Sequence, residues 1–552
     1  MALLYLFVAL VTLVTFVYNY CTRTFNYWKN RGVPGPKPVP LFGNLKDSAL
    51  RRKNGGIVMK EMYDAFPNEK VVGVYRMTTP CLLIRDLDII KNVMVKDFDV
   101  FVDRGIEFSK EGLGANLFHA DGDTWRVLRN RFTPIFTSGK LKNMLYLMTE
   151  RGDKFLEYID EICAKQSEQE VHQLVQKYTM ATISACAFGL DVDTQHNEDA
   201  IANLKKVDGL IFTLTYATEL DMMFPGILKK FNTSLFPTFV KTFFFGLVKN
   251  VISQRNGLPT NRKDFMDLIL ELRQKGEVYG TVRNADDKLL SLELTDDMIA
   301  AQAFVFYAAG YETSATTMAF MLYELARNPD IQEKLIAHID ETLMKHNGEV
   351  TYETLQDMTY LEKVFDETLR MHPLVEPLQR NAQIDYKIPG TDVTIEKGMT
   401  ILVSPLGIQH DPKYYPNPEK FDPERHTAEN SSNRHSCAYM PFGVGPRNCI
   451  AAACLLHPSA PHGSDQVVDP PSGELAYTAS SNSCSPLETL SSASVVSSTS
   501  DVACPLPLRL ANSKSYSGDF SSLADLLMSD FISLGNSEHQ YLSKARWSLR
   551  VF

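Results

Sequence analysis

A chain of 552 residues with 44% hydrophobic side chains has the length of one large domain, or of two to three ordinary ones, and can bury a sizeable core. Its formal net charge of −10 argues against a dedicated nucleic-acid binder, whose surface would be basic. The nine cysteines include no C-x-x-C pair, so no zinc ribbon or dithiol redox motif is signalled, and their odd number and loose spacing suit a reducing compartment.

The first feature is a run from Ala2 to Thr22 without a charged side chain, rich in Leu, Val and Phe. About 20 such residues span a bilayer as a helix. Arg23, Lys29 and Arg31 follow it, and Tyr18, Tyr20, Tyr27 and Trp28 supply interfacial aromatics. Positive charge after the span and none before it places the rest of the chain on the cytoplasmic side. A cleaved signal peptide is the rival reading, but the basic leader and small-x-small cleavage site it needs are absent. Gly32 to Pro40 alternates proline and glycine with few other residues, which excludes helix and reads as a stiff spacer. The expected division is an anchor over 1–22, a linker over 23–44, a globular body over 45–450 and a tail over 451–552.

The body reads as mainly α with small β-sheets. Strands are expected at Val71–Tyr75, Leu82–Ile84, Asp385–Ile388, Val393–Ile395 and Thr400–Val403. Trp125 and Arg129 stand one helical turn apart; alone, that spacing fits an ordinary amphipathic surface helix. The longest helix is expected to start at the N-cap Thr295, with Asp296 and Asp297 in its first turn, and to stop at Asn328-Pro329. Its length of about 48 Å and apolar residues on most sides put it through the core. In its middle lies Ala309-Gly310-Tyr311-Glu312-Thr313-Ser314. A mid-helix glycine costs about 1 kcal/mol relative to alanine, so a close approach of a ligand to the backbone is expected there. An acid beside a hydroxyl can relay protons, or can merely deform the helix as a bonded polar pair.

Glu367 and Arg370 fall on one helix face near the stop at Pro373, and Pro423-Glu424-Arg425 offers a second arginine. The last motif is Pro441-Phe442-Gly443-Val444-Gly445-Pro446-Arg447-Asn448-Cys449-Ile450, a tight loop presenting one cysteine. Backbone N–H groups and Arg447 are suited to keep a thiolate ionised, although a lone cysteine in a turn is also commonly just buried. After Ile450 the composition changes. Serine makes up roughly a fifth of residues 451–552 and periodicity disappears, so a disordered tail is expected, with a short helix over Phe520–Leu534 as its one candidate element.

Together these segments resemble the cytochrome P-450 family of heme-thiolate monooxygenases over residues 1–450. Phe442, Gly445, Arg447 and Cys449 match its heme-binding signature, with Ala451 where the pattern has glycine. The stretch Arg126–Leu141 and Phe306–Thr313 are most similar to insect microsomal members that oxidise xenobiotics. The resemblance implies a cytochrome P-450 fold, heme with Cys449 as axial thiolate to iron, and Phe442, Ala309 and Gly310 against the heme. It implies Thr313 and Glu312 as the catalytic pair managing protons, and Trp125, Arg129, Arg380, Arg447 and Arg104 as the hold on the heme propionates. It also implies a structural triad of Glu367, Arg370 and Arg425. The implied partners are dioxygen, a lipophilic small molecule, NADPH-cytochrome P-450 reductase, cytochrome b5 and the endoplasmic reticulum membrane, with no nucleic acid. Family members continue after the cysteine with a helix on the proximal heme face and small strands. Here His457-Pro458 limits any helix over Ala451–Leu456 to a turn or two. The alternative is therefore a membrane-bound product that is catalytically inactive because heme incorporation is impaired.

Overall fold

A computed structural model describes residues 1–106, 112–165, 169–192, 198–212, 227–230, 236–275, 278–281 and 289–452. The expected tail, the Phe520–Leu534 helix and all of Ala451–Leu456 beyond Ala452 lie outside the described residues. The architecture is mainly helical, with one four-stranded sheet and two small hairpins among the described residues. The first helix, Ala2–Thr22, has a mean hydropathy of 2.1 and buries none of its apolar window. It is long and apolar enough to cross a membrane.

The four-stranded sheet runs in the order Val71–Arg76, Thr79–Ile84, Thr400–Val403, Leu378–Asn381. The first pair is antiparallel, the second parallel in the register Cys81↔Thr400, and the third antiparallel in the register Arg380↔Ile401. Val72, Leu82, Leu83, Ile84, Ile401 and Val403 are completely buried, including neighbours in sequence, so the sheet is covered on both faces. The fourth strand has no counterpart in the sequence reading. Leu-Gln-Arg-Asn lacks β-branched and aromatic residues and alternation, and only pairing with Thr400–Val403 fixes it as a strand.

The Pro/Gly-rich segment is docked rather than standing off as a spacer. Trp28 is 2% exposed, its indole N–H donates to the Val74 carbonyl at 3.1 Å, and the Gly73 N–H donates to the Pro34 carbonyl at 2.8 Å. A Cβ on Gly73 would lie 2.3 Å from the Trp28 ring, so glycine in the first strand is what lets the indole seat on the sheet.

The central helix is Asp296–Arg327, 32 residues, with Thr295 Oγ1 accepting from the Met298 N–H at 3.2 Å. It packs against the helix Val171–Ile183 and the helix Thr238–Gln254. Ile299, Phe304, Tyr307, Tyr311, Ala315 and Met321 are buried on its several sides, so the helix joins three apolar clusters of the core. Gln302, fully buried, ties the loop above to this helix by accepting from the Leu117 N–H and donating to the Ala115 carbonyl, both at 2.9 Å.

At the end of the sheet Glu376 accepts from the Leu406 N–H at 2.9 Å through one oxygen, while the other has no hydrogen-bond partner. Burial pushes its carboxyl up to about 8, against the opposing pull of the Leu406 N–H and the Ser404 hydroxyl. The native state therefore holds a proton that the unfolded chain releases once the pH passes the ordinary glutamate range. This contribution to stability is fully present below that range and is lost as pH rises through about 8. Glu376→Gln mimics the protonated form. It is expected to gain on the wild type by about 1 kcal/mol per pH unit within that window in urea unfolding followed across pH. A pH-independent difference between the two proteins contradicts the assignment.

Candidate functional site

The cysteine loop is built by its glycines. Gly445 has φ +77°, and a Cβ there would meet the Met94 carbonyl oxygen at 1.9 Å. No other residue fits that approach. The loop closes with the Cys449 N–H donating to the Phe442 carbonyl at 2.8 Å. The Cys449 side chain is accessible although protein surrounds it on most sides. Burial raises its pKa. The backbone N–H groups of Ala451 and Ala452, with Arg129 and Arg104, pull in the opposite direction, toward thiolate.

Four arginines converge beside this loop from four parts of the chain. Arg129, on the helix Gly122–Phe132, donates to the Asn448 carbonyl at 2.8 Å and to Asn448 Oδ1 at 2.6 Å. Arg104 donates to the carbonyls of Phe118 and Arg447 at 3.0 and 3.1 Å. Arg380 comes from the fourth strand and donates to the Gln379 carbonyl at 2.8 Å. Arg447 donates to the carbonyls of Val102 and Ala120 at 2.9 and 2.8 Å, and its guanidinium lies 4.3 Å from the centroid of Trp125. Burial lowers all four pKa values, to about 10 for Arg104, 9 for Arg380 and 8 for Arg447, and repulsion from a neighbouring arginine adds to the effect at these three. Asp103, 3.7 Å from Arg447, is the one carboxylate that opposes the trend there. Arg380 Nε and Arg447 Nη1 are buried without a hydrogen-bond partner. A cationic cluster with unused donors fits a ligand carrying carboxylates.

On the central helix, Ala309 and Thr313 stand one turn apart on one face. Ala309 is exposed although the flanking Tyr307 and Tyr311 are buried, so this face of the helix is open. The Thr313 hydroxyl donates to the Ala309 carbonyl at 2.5 Å. Gly310 does not belong to the open face as expected. A Cβ on it would meet Ile183 Cδ1 at 2.9 Å, so the glycine faces the helix Val171–Ile183, where the flexible end of Ile183 fills the space beside it. Glu312 is not bonded to Thr313 either. Its carboxylate takes a 2.7 Å hydrogen bond from Gln176, lies 3.3 Å from His172 Nε2, and is 3.5 Å from the Thr316 hydroxyl.

Glu367 and Arg370, both fully buried, pair at 2.7 Å, and Arg425 Nε lies 3.3 Å from the same carboxylate. His426, absent from the sequence reading, adds a third contact at 3.0 Å. Asn448 was also missed, although its place between Arg447 and Cys449 is the signal that could have singled it out. His172 and Gln176 carry no local signal, because only the packing of two helices brings them to Glu312.

The arrangement fits heme. An open thiol and an open helical face can take a flat, largely apolar group, and the arginines can take its two propionates. The comparisons agree. The family model Cytochrome P450 matches residues 33–451. The chain is 62% identical over 438 residues to cytochrome P450 6B2 of Helicoverpa armigera, covering 79% of this chain and 86% of that one. It is 60% identical over 448 residues to cytochrome P450 6B5 of Papilio glaucus, covering 81% and 93%. A more distant relative, cytochrome P450 6k1 of Blattella germanica, is 38% identical over 456 residues, covering 80% and 86%.

Proposed function

This chain belongs to the cytochrome P-450 family, and from that premise we propose that it inserts one atom of dioxygen into a lipophilic xenobiotic or endogenous lipid at the endoplasmic reticulum membrane, with electrons from an NADPH-dependent flavoprotein reductase and in some turnovers from cytochrome b5. The family reaction balances as substrate, dioxygen, two electrons and two protons giving hydroxylated product and water. When bound, heme would supply the redox-active iron, made electron-rich by a thiolate ligand. The chain's own residues do the rest. Cys449 is the ligand to iron. Arg129, Arg380, Arg447 and Arg104 hold the propionates, with Trp125 stacking on Arg447. Phe442 and Ala309 would contact the heme. Gly310 keeps the central helix close to Val171–Ile183. Thr313 presents a hydroxyl on the open face, and Glu312 is the acid from which protons reach it. The same reading takes the chain as an anchor over 1–22, a linker over 23–44, a monooxygenase body over 45–450 and a tail over 451–552.

The observation that carries the proposal is the accessible Cys449 thiol beside buried arginine donors with no protein partner. The membrane location rests on the apolar helix Ala2–Thr22 and the basic residues after it. A second reading, an inactive membrane-bound product, is favoured by one fact: the family match stops at residue 451, just past the ligand. Turnover under ¹⁸O₂ separates the two. With reductase and NADPH, a panel of lipophilic substrates is expected to yield products carrying one ¹⁸O atom. Folded, full-length chain that consumes NADPH only at the rate of reductase alone contradicts the monooxygenase reading.

A further inference from the structure

Behind the central helix lies a group of buried polar side chains that the reaction above does not use. His172, 9% exposed, and Gln176 project from the helix Val171–Ile183 onto opposite oxygens of the Glu312 carboxylate. His172 Nε2 is also 3.4 Å from the Thr316 hydroxyl. Asp208, from the helix Glu198–Phe212, interacts with both Glu312 and His172, and its Oδ1 is buried without a hydrogen-bond partner. Tyr307 and Tyr311, on the central helix itself, have buried hydroxyls that are likewise unbonded.

We propose that His172 is a positioning residue for Glu312, bonding its carboxylate on the side facing Val171–Ile183 and so setting how readily it turns, takes up a proton from solvent and passes it to the Thr313 hydroxyl. The inference rests on the proton role given to Glu312 above. Successive helical side chains diverge by about 100°, so Glu312 must swing off His172 to reach its neighbour. A bond that is too strong would withhold the acid, and none would leave it unaligned. Charge supports the same reading. Burial raises the Glu312 pKa, but the hydrogen bonds from His172 and Gln176 outweigh it and bring it below the ordinary range. Asp208 is pushed the other way, up to about 7, first by burial and then by the Glu312 charge, with His172 opposing. The titratable groups facing Glu312 are thus His172 and Asp208 from the two neighbouring helices, with the two tyrosines on its own.

The test uses full-length protein in lipid nanodiscs with reductase, comparing wild type with His172→Leu, His172→Ala and His172→Gln. The first readout is the infrared carboxyl band of Glu312, assigned by its loss in Glu312→Gln and followed against pH. The second is the share of NADPH electrons recovered in product rather than peroxide, also against pH. In His172→Leu burial acts with less opposition, so Glu312 is expected to protonate at higher pH than in wild type. Coupling is expected to fall on the order of tenfold, with its acid limb moved upward. His172→Gln keeps an N–H donor and is expected to recover most of the neutral-pH coupling. An unchanged band and pH profile in His172→Leu overturns the proposal, as does loss of activity only in proportion to lost heme. If His172→Leu does not fold, an unchanged band and pH profile in His172→Ala, which likewise removes the donor, overturns it. The infrared titration needs no bound heme, so failure of the heme reading and failure of the His172 role give different results.

Discussion

Cys449→Ser is expected to fold and to lose monooxygenase turnover by at least about a hundredfold, since even indirect ligand partners account for 10–100-fold at metal sites. The side chain is exposed, so exchanging sulfur for oxygen disturbs little packing. What changes is the donor. A serine hydroxyl stays protonated at neutral pH, whereas the backbone N–H groups of Ala451 and Ala452 and the nearby Arg129 and Arg104 all favour a thiolate at this position. Heme content and the absorption of the reduced carbon-monoxide complex check the outcome. Retention of a thiolate-type band in the variant would require another cysteine as ligand. Among the described residues the alternatives are poor. Cys81 and Cys437 are 1% and 0% exposed, and burial pushes the thiols of Cys186 and Cys437 up to about 12 and 11.

Glu367→Ala is expected to cost about 3–5 kcal/mol, which is comparable with the stability of a whole domain. Glu367 accepts from Arg370 Nε at 2.7 Å and Nη2 at 3.0 Å, and from the Asp422 N–H at 2.9 Å. Arg425 and His426 stand 3.3 and 3.0 Å away. Removing the carboxylate leaves the Arg370 charge fully buried, with the carbonyls of Gln409 and Pro418 as its main remaining partners. The loss is read as a lower denaturation midpoint and a lower yield of folded protein. Glu367→Gln keeps an acceptor and should fall between the two. A change under about 1 kcal/mol in the alanine variant would mean that the pair behaves like an exposed one.

The features legible in the sequence were those that local chemistry decides. Thr295 as cap and Pro329 as stop delimit the central helix, and Thr400–Val403 alternates too little to be anything but a covered strand. The cysteine loop is equally local, because Gly443 and Gly445 both need positive φ. What escaped depends on partners far along the chain. Leu378–Asn381 becomes a strand only beside Thr400–Val403. The proline-rich segment looks free until Trp28 finds Gly73. Gly310 looked like a place for ligand approach, but its missing side chain makes room for Ile183. Glu312 and Thr313 are adjacent in sequence, yet helical geometry turns one toward His172 and the other toward the open face.

The central claim is that Cys449 and the surrounding arginines hold heme in this chain as it stands. Its most direct test is the difference spectrum of the full-length protein in membranes, reduced and exposed to carbon monoxide. A Soret band of the thiolate type, in amount matching the folded protein, is the predicted result. Folded, membrane-inserted chain with no such band would contradict the account and would favour the inactive product.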